Sequence, residues 1–293
     1  MLVNWFILSL ICAYFTSSAE VFSKLLMREN DEWTAGCAML LLALPFLIPL
    51  LIGRTALPLS RELFILIAVQ IPFEILAYYV YLSAIRIAPL SLSVPYLSFT
   101  PVFTILTAAL LLQEYISVRG FVGILMVTVG AYVLNMERYA RHPLDPLKAV
   151  FRTSGSRRML VVALLWSLTS TLGKKGVQLS DPTFFGVFYM VMLSIPMLTI
   201  AVWRAKRRAA TVNLKGRNRI WLLLGGLAMA LSMLAHFHAI ERAPVSYMIA
   251  VKRTSLIFSV LYGGLIFKEE RIRQRLLGTS IMLSGAVILY LAT

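Results

Sequence analysis

Apolar residues fill this chain in runs of about 20, the length a helix needs to cross a bilayer, and charged residues collect between the runs. Ten runs can be delimited, near 2–27, 33–52, 62–84, 91–112, 118–136, 158–178, 182–202, 219–239, 246–267 and 273–292. The longest break, Glu137 to Arg157, reads ERYARHPLDPLKAVFRTSGSR. Its Pro, Gly and charges mark a linker. The pattern predicts an all-α polytopic membrane protein: a first five-helix half at 1–136, a linker at 137–157, and a second half at 158–293.

Composition narrows the class. Hydrophobic residues make up 59% of the 293, and charged residues only 14%, against about 25% in a soluble domain. A pair of soluble domains, a disordered chain, a collagen and a disulfide scaffold are all excluded. The net charge of +15 sits mostly in short stretches between apolar segments, which reflects membrane orientation and not nucleic-acid binding. Cys12 and Cys37 lie in apolar runs and read as small packing residues. The first run has no basic segment before it, so it is expected to be a retained helix and not a cleaved leader.

The two halves repeat. A shift of 155 maps Ala88-Pro89 onto Ala243-Pro244, Glu114 onto Glu269, Gly123 onto Gly278 and Gly130 onto Gly285. Lys24 pairs with Lys174 at a shift of 150. A repeat with five spans must be inverted in the membrane. That arrangement is known from transporters, with substrate held near the midplane between the repeats.

These residues carry a family resemblance. The AIRIAP and AIERAP turns, the LLLQE and LIFKE helix ends and the glycines of the fifth and tenth helices resemble the drug/metabolite transporter superfamily, EamA type. The resemblance covers nearly the whole chain. It implies two inverted five-helix repeats and alternating access without ATP hydrolysis, for cargo ranging over amino acids, metabolites, drugs, sugars and phosphorylated sugars. No P-loop, HExxH or GxSxG occurs, so neither an ATP-driven pump nor an enzyme is expected. A membrane enzyme or a channel is the reading from another class.

Loops after odd-numbered helices hold 20 of the 28 Lys and Arg residues. The opposite side holds Arg54, Arg61, Arg119, Lys174, Lys175 and Arg242. The excess marks the cytoplasmic side, which places both termini outside the cytoplasm. The expected location is a prokaryotic cytoplasmic membrane.

Lys252 and Arg253 complete the 28, inside the ninth run. A charge at the bilayer centre costs about 2.5–3.5 kcal/mol on insertion scales, so such residues face a cavity or a partner. Met248, Lys252, Ser255, Ser259 and Tyr262 recur at helical steps and are expected on one face, and Tyr247 joins the candidates. In the third run Gln70, Glu74, Tyr78 and Tyr81 form a polar stripe. Thr16, Glu20 and Lys24 form one in the first run, and Ser167, Ser170 or Thr171, and Lys174 in the sixth. Ser232 and His236 are four apart in the eighth. The expected substrate-binding set is Lys252, Arg253, Tyr247, Ser255, Glu74, Tyr78, Tyr81, Glu20, Lys24, Lys174 and His236.

If the lysines face a cavity it is cationic, and an organic phosphate or carboxylate would suit Arg253 through its planar fork. If they do not, Glu20 and Glu74 could neutralise the Lys-Arg pair, and a zwitterion would fit equally well. Those carboxylates could instead couple protons. The bland readings are ion pairs, Glu20 with Lys24 and Glu74 with Arg253, and interfacial anchoring for Lys24, Lys174 and Lys175. The stretch APVSYMIAVKRTSLIFSVL resembles the penultimate helix of the plastid sugar-phosphate/phosphate translocators. There an adjacent Lys-Arg pair binds phosphate, which implies that role for Lys252 and Arg253. The fourth run has no Lys or Arg, so no further basic ligand carries over.

His236-Phe237-His238 with Glu241 is a poor metal site, because positions i and i+2 point to different helix faces. No metal and no cofactor are expected. The partners expected are a small solute, anionic by preference, the lipid bilayer, a proton or counter-substrate for coupling, and a second copy if the chain dimerises. Pro95 and Pro101, Gly263-Gly264 and Gly225-Gly226 are candidate hinge or close-approach points.

Overall fold

The computed structural model describes residues 4–54, 57–87, 94–135, 154–208, 216–267 and 272–292. Ala88, Pro89 and Glu269 of the repeat, and linker residues 137–153, lie outside the described residues. Every regular element among the described residues is helical. In order these are α1 (Trp5–Leu26), α2 (Glu32–Leu47, running into a 3-10 turn Ile48–Leu51), α3 (Arg61–Ile87) and a 3-10 turn Val94–Phe99 leading into α4 (Thr100–Leu112). Then follow α5 (Val118–Asn135), α6 (Ser154–Leu179), α7 (Pro182–Arg208) and α8 (Arg217–Arg242). The last three are α9 (Val245–Lys252), α10 (Ser255–Phe267) and α11 (Ile272–Leu291).

Among the described residues, six stretches are long and apolar enough to cross a membrane: Trp5–Leu26, Glu32–Leu51, Arg61–Ala84, Pro182–Arg204, Arg217–Arg242 and Val245–Tyr262. Tyr96–Leu112, Val118–Leu134 and Leu277–Leu291 are shorter apolar helices. Three elements depart from the pattern read along the chain. The sixth span starts at Ser154 and not at 158. Its opening Ser-Gly-Ser looks like loop, yet Gly155 and Ser156 are buried and Tyr96 hydrogen-bonds Ser156, so packing overrides the local preference. The seventh extends to Arg208, past the expected 202. There Arg207 stacks over the Trp203 ring at 4.3 Å, a helix end whose cations snorkel. The ninth is interrupted at Arg253–Thr254, so its polar residues do not form one unbroken stripe.

The described chain falls into two compact units that cut across the sequence halves: 1–71 with 176–241, and 72–175 with 242–293. In the first unit α2 and α7 pack along each other. Leu26, Ala35 and Met39 form a core against Trp221, Leu222 and Met229. Gly226 lets α8 reach α2: a Cβ there would lie 3.0 Å from the Leu42 carbonyl carbon. Each of the packed pair opens on an aspartate. Asp31 accepts the Trp33 N–H at 3.2 Å and Asp181 the Phe184 N–H at 2.9 Å. These are N-caps, satisfying donors that the first helical turn leaves open.

Each cap also meets an arginine from the far end of the other helix. Arg54 forks onto Asp181, Nη1 to Oδ2 at 2.5 Å and Nη2 to Oδ1 at 3.1 Å. Arg204 Nη2 stands 3.8 Å from Asp31 Oδ1. Asp31 with 204 and 54 with Asp181 run in opposite chain directions, so α2 and α7 are antiparallel.

In the second unit α5 and α11 make the most extensive helix pair. A Cβ on Gly130 would lie 2.8 Å from the Gly278 carbonyl oxygen, and one on Gly278 would lie 2.8 Å from that of Gly130. Gly285 meets the Gly123 oxygen at 2.8 Å, and Gly123 the Gly285 oxygen at 3.1 Å. The shift of 155 maps Gly123 onto Gly278 and Gly130 onto Gly285. So each glycine touches the repeat image of its own mate. That reciprocity is the signature of a two-fold axis. Relating antiparallel helices, the axis lies perpendicular to them, in the membrane plane, as an inverted repeat requires.

Two outcomes follow from these contacts. Gly130→Ala drives a methyl into the backbone of α11 and should cost about 1–3 kcal/mol, the price of overpacking. Gly186→Ala, whose nearest neighbour is the Phe237 ring at 3.0 Å, should cost less, and thermal unfolding in detergent compares the two. The second outcome concerns Asp181. Burial pushes its carboxyl up, but the hydrogen bond from Arg54, the Phe184 and Thr183 N–H groups and the guanidinium charge together hold it below the usual 3.8. The native state therefore binds fewer protons than the unfolded chain, and the stabilisation is present at neutral pH and lost as pH falls. Wild type should melt above Asp181→Asn at neutral pH, and the gap should narrow as pH falls below the usual carboxylate value of 3.8.

Candidate functional site

In the second unit α9 carries Tyr247 and Lys252 and is followed by Arg253 and Ser255. Its first residue, Val245, donates its N–H to Glu114 Oε2 at 2.9 Å. Glu114 Oε1 pairs with Lys174 Nζ, which also donates to the Ala243 carbonyl at 2.6 Å. The Lys174 side chain is only 7% exposed, so this ammonium is committed to the entry of α9 in this structure. What aims Glu114 there is Gln113, the only non-glycine residue with positive φ among those described, at 55°. A left-handed residue ends α4 and turns the chain sharply, and the Glu114 N–H closes the turn on the Ala108 carbonyl at 3.2 Å.

Midway, Tyr247 is buried, with its hydroxyl 3.2 Å from Ser117 Oγ. Ser117 also accepts the Gly120 N–H at 3.1 Å and so caps α5. Any Cβ on Gly120 would overlap the Tyr247 ring, which makes that glycine a requirement of the site. At the far end α9 stops with Lys252 and Arg253. The Arg253 and Thr254 N–H groups take i−3 carbonyls, Ala250 at 3.0 Å and Val251 at 3.0 Å, and Thr254 Oγ1 donates to the Val251 carbonyl at 2.7 Å. The helix tightens to 3-10 geometry, and Ser255, buried, opens α10.

The fourth span changes character at the matching place. The shift of 155 maps Phe99 onto Thr254 and Thr100 onto Ser255, and it is between Phe99 and Thr100 that the 3-10 turn gives way to α4. The Thr100 hydroxyl donates to the Leu97 carbonyl at 2.7 Å and accepts from Arg253 Nη2 at 2.6 Å. Arg253 thus ties the two interruptions together. Lys252 is partly buried and among the described residues makes no hydrogen bond or ion pair. Lys252 and Arg253 are the eighth and ninth residues of the 18-residue apolar stretch Val245–Tyr262, close to its centre.

On α3 of the same unit, Glu74, Tyr78 and Tyr81 are partly buried, and the Tyr81 ring packs on Trp166 with centroids 5.6 Å apart. Thr171 pairs with Thr107 at 2.8 Å as a hydroxyl link between α6 and α4, and Lys175 is exposed. In the first unit Glu20 and Lys24 are exposed and His236 is partly buried. Thr16 Oγ1 meets Ser232 Oγ at 2.7 Å, with Cys12 Sγ 3.6 Å from the same hydroxyl. His238 has Nδ1 2.9 Å from the Leu234 carbonyl and Nε2 3.3 Å from Thr183 Oγ1. Reading along the chain singled out Lys252 and Arg253 but missed Thr100 and the role of Glu114. Glu114 did show itself as one of the repeat coincidences.

The chain matches one family in two stretches, residues 3–136 and 154–291, described as the EamA-like transporter family. The chain belongs to the EamA-like transporter family. A relative from Sinorhizobium sp, described as an "uncharacterized transporter in cobO 3'region", is 24% identical over 130 residues, 44% of this chain and 92% of its own length. One solved structure, described simply as a crystal structure of a protein, aligns with 98% of this chain and 97% of its own at a TM-score of 0.78 and 14% identity. At that identity the likeness shows the fold. This EamA-family chain is therefore a multi-pass membrane transporter of small solutes.

The tie at the entry of α9 can be tested by stability. Glu114→Ala strands a buried ammonium and should cost about 3–5 kcal/mol. Glu114→Ala combined with Lys174→Met removes that charge as well and should cost less than the single change. Denaturant unfolding of the purified protein reads both.

Proposed function

We propose that this transporter moves a small anionic metabolite, an organic phosphate or carboxylate, by alternating access of its two repeats in a prokaryotic cytoplasmic membrane, and that Lys252 and Arg253 bind the anion. The observation that carries the reading is the place of this pair. It lies at a break in a spanning helix, near the centre of the span, and Lys252 has no protein partner among the described residues. A lone ammonium at that depth is costly, and an anion offsets it. Broken helices whose ends and irregular backbone serve a ligand recur at transporter midplanes. Arg253 donates to Thr100 through Nη2, and its planar fork is the side-chain shape that suits a phosphate or carboxylate. Ser255 follows the pair at the start of α10.

The test is a melting-temperature screen of the purified protein with inorganic phosphate, phosphorylated sugars, carboxylates, amino acids and amines. A ligand at 100 times its Kd adds about 2.7 kcal/mol to stability. Phosphates or carboxylates should raise the melting temperature, and Lys252→Ala and Arg253→Ala should abolish that rise while the ligand-free protein still melts cooperatively. Stabilisation by amino acids or amines alone, or a phosphate effect that survives both substitutions, overturns the proposal.

A further inference from the structure

The two aspartate–arginine pairs of α2 and α7 are images of each other. A shift of 150, the one that relates Lys24 to Lys174, maps Asp31 onto Asp181 and Arg54 onto Arg204. Asp31 meets Arg204, and Asp181 meets Arg54, so each residue again touches the image of its mate. Within each repeat the arginine follows the aspartate by 23 residues, which in α7 is about 35 Å of helix at 1.5 Å per residue. The hydrocarbon core is about 30 Å thick. Because the helices are antiparallel, one pair stands at each membrane face.

Equivalent in sequence, the pairs differ in geometry. Arg54 and Asp181 share two hydrogen bonds. Arg204 and Asp31 stop at 3.8 Å, beyond hydrogen-bond reach, and Arg204 Nε and Nη2 are buried without a hydrogen-bond partner. The slack pair is also the more enclosed, its side chains 18% and 14% exposed against 29% and 35% for the tight pair. Trp33, two residues into α2, holds the guanidinium over its ring at 5.6 Å. A buried guanidinium with unmade hydrogen bonds is costly. Closing by about 1 Å would bring Nη2 into the ordinary hydrogen-bond range. Two equivalent latches, one shut and one ajar, are what a two-state device shows when held in one of its states. The inverted repeat supplies the second state, with the roles exchanged.

We propose that Asp31–Arg204 and Arg54–Asp181 are alternating clasps, one per membrane face, and that α2 and α7 tighten one as they release the other in the transport cycle. This rests on the chain being a transporter and not on the charge of its cargo.

The experiment uses the full chain in lipid nanodiscs and needs no substrate. Spin labels at Ile52→Cys and Gln178→Cys report the tight end, and labels at Met27→Cys and Val202→Cys report the slack end. All four native positions are exposed, and native Cys12 and Cys37 are buried. Electron–electron resonance distances are read with Arg54→Ala or Asp181→Asn in each background. A longer-distance population should appear at 52/178 and, under the same substitution, a shorter-distance one should grow at 27/202. The exchange Arg54→Asp with Asp181→Arg should restore both distributions. Should Arg54→Ala fail to fold, Arg54→Lys, which keeps the charge and loses the fork, carries the same comparison. A change confined to 52/178, or none at either end, makes the pairs simple staples and overturns the proposal.

Discussion

Among the described residues, backbone approaches backbone most closely at a glycine where α5 crosses α11. At Gly130 and Gly278 there is no room for a side chain on either helix, because the carbonyl oxygen of each lies 2.8 Å from where a Cβ would sit on the other. Helices in lipid gain nothing by hiding apolar surface from one another, so they associate through close packing and small residues. The crossing also sets the symmetry. Gly123 meets Gly285 and Gly130 meets Gly278, and the two contacts exchange under the repeat.

Polar groups in the apolar runs are handled in three ways. Some are consumed: Lys174 is neutralised by Glu114 and bonded to the Ala243 carbonyl. Some replace backbone bonds where a helix changes pitch, as Thr254 does with Val251 and Thr100 with Leu97. Lys252 is neither consumed nor structural among the described residues. Arg253 is in part both, holding Thr100 with one arm. The same accounting separates the aspartates that cap α2 and α7. Each satisfies a helix start and still carries a charge, which the opposite helix answers with an arginine.

Much of the fold was legible along the chain. Spans of about 20 apolar residues announce themselves because lipid tolerates few exceptions, and the edges of most helices fall within a few residues of the apolar runs. Lys252 and Arg253 were legible for the same reason, since a charged pair inside an apolar run is rare. Glu114 was visible only as a coincidence between halves. Its partners lie 60 and 131 residues away along the chain, and nothing local distinguishes a carboxylate that caps another helix from one that faces water. The break after Lys252 was not legible either. The segment Ala-Val-Lys-Arg-Thr-Ser has no Pro or Gly to announce it, and the Thr254 hydroxyl stands in for the backbone bonding that the turn alters. The aspartates and arginines of the paired clasps were present at one spacing, but a spacing becomes a contact only when two helices are known to run side by side.

The sequence by itself determined the class of molecule, the apolar segments in which most of its helices lie and the inversion of its halves. All of these follow from hydrophobic periodicity and from the odd count of spans, which are properties of single segments. Tertiary structure alone decided which lysine is spent and which is left over, where a spanning helix breaks, and that two equivalent ion pairs stand at different lengths. Those depend on what each charge meets across 60 to 173 residues of chain, in surroundings where one unmade hydrogen bond or one unpaired ion outweighs local preference.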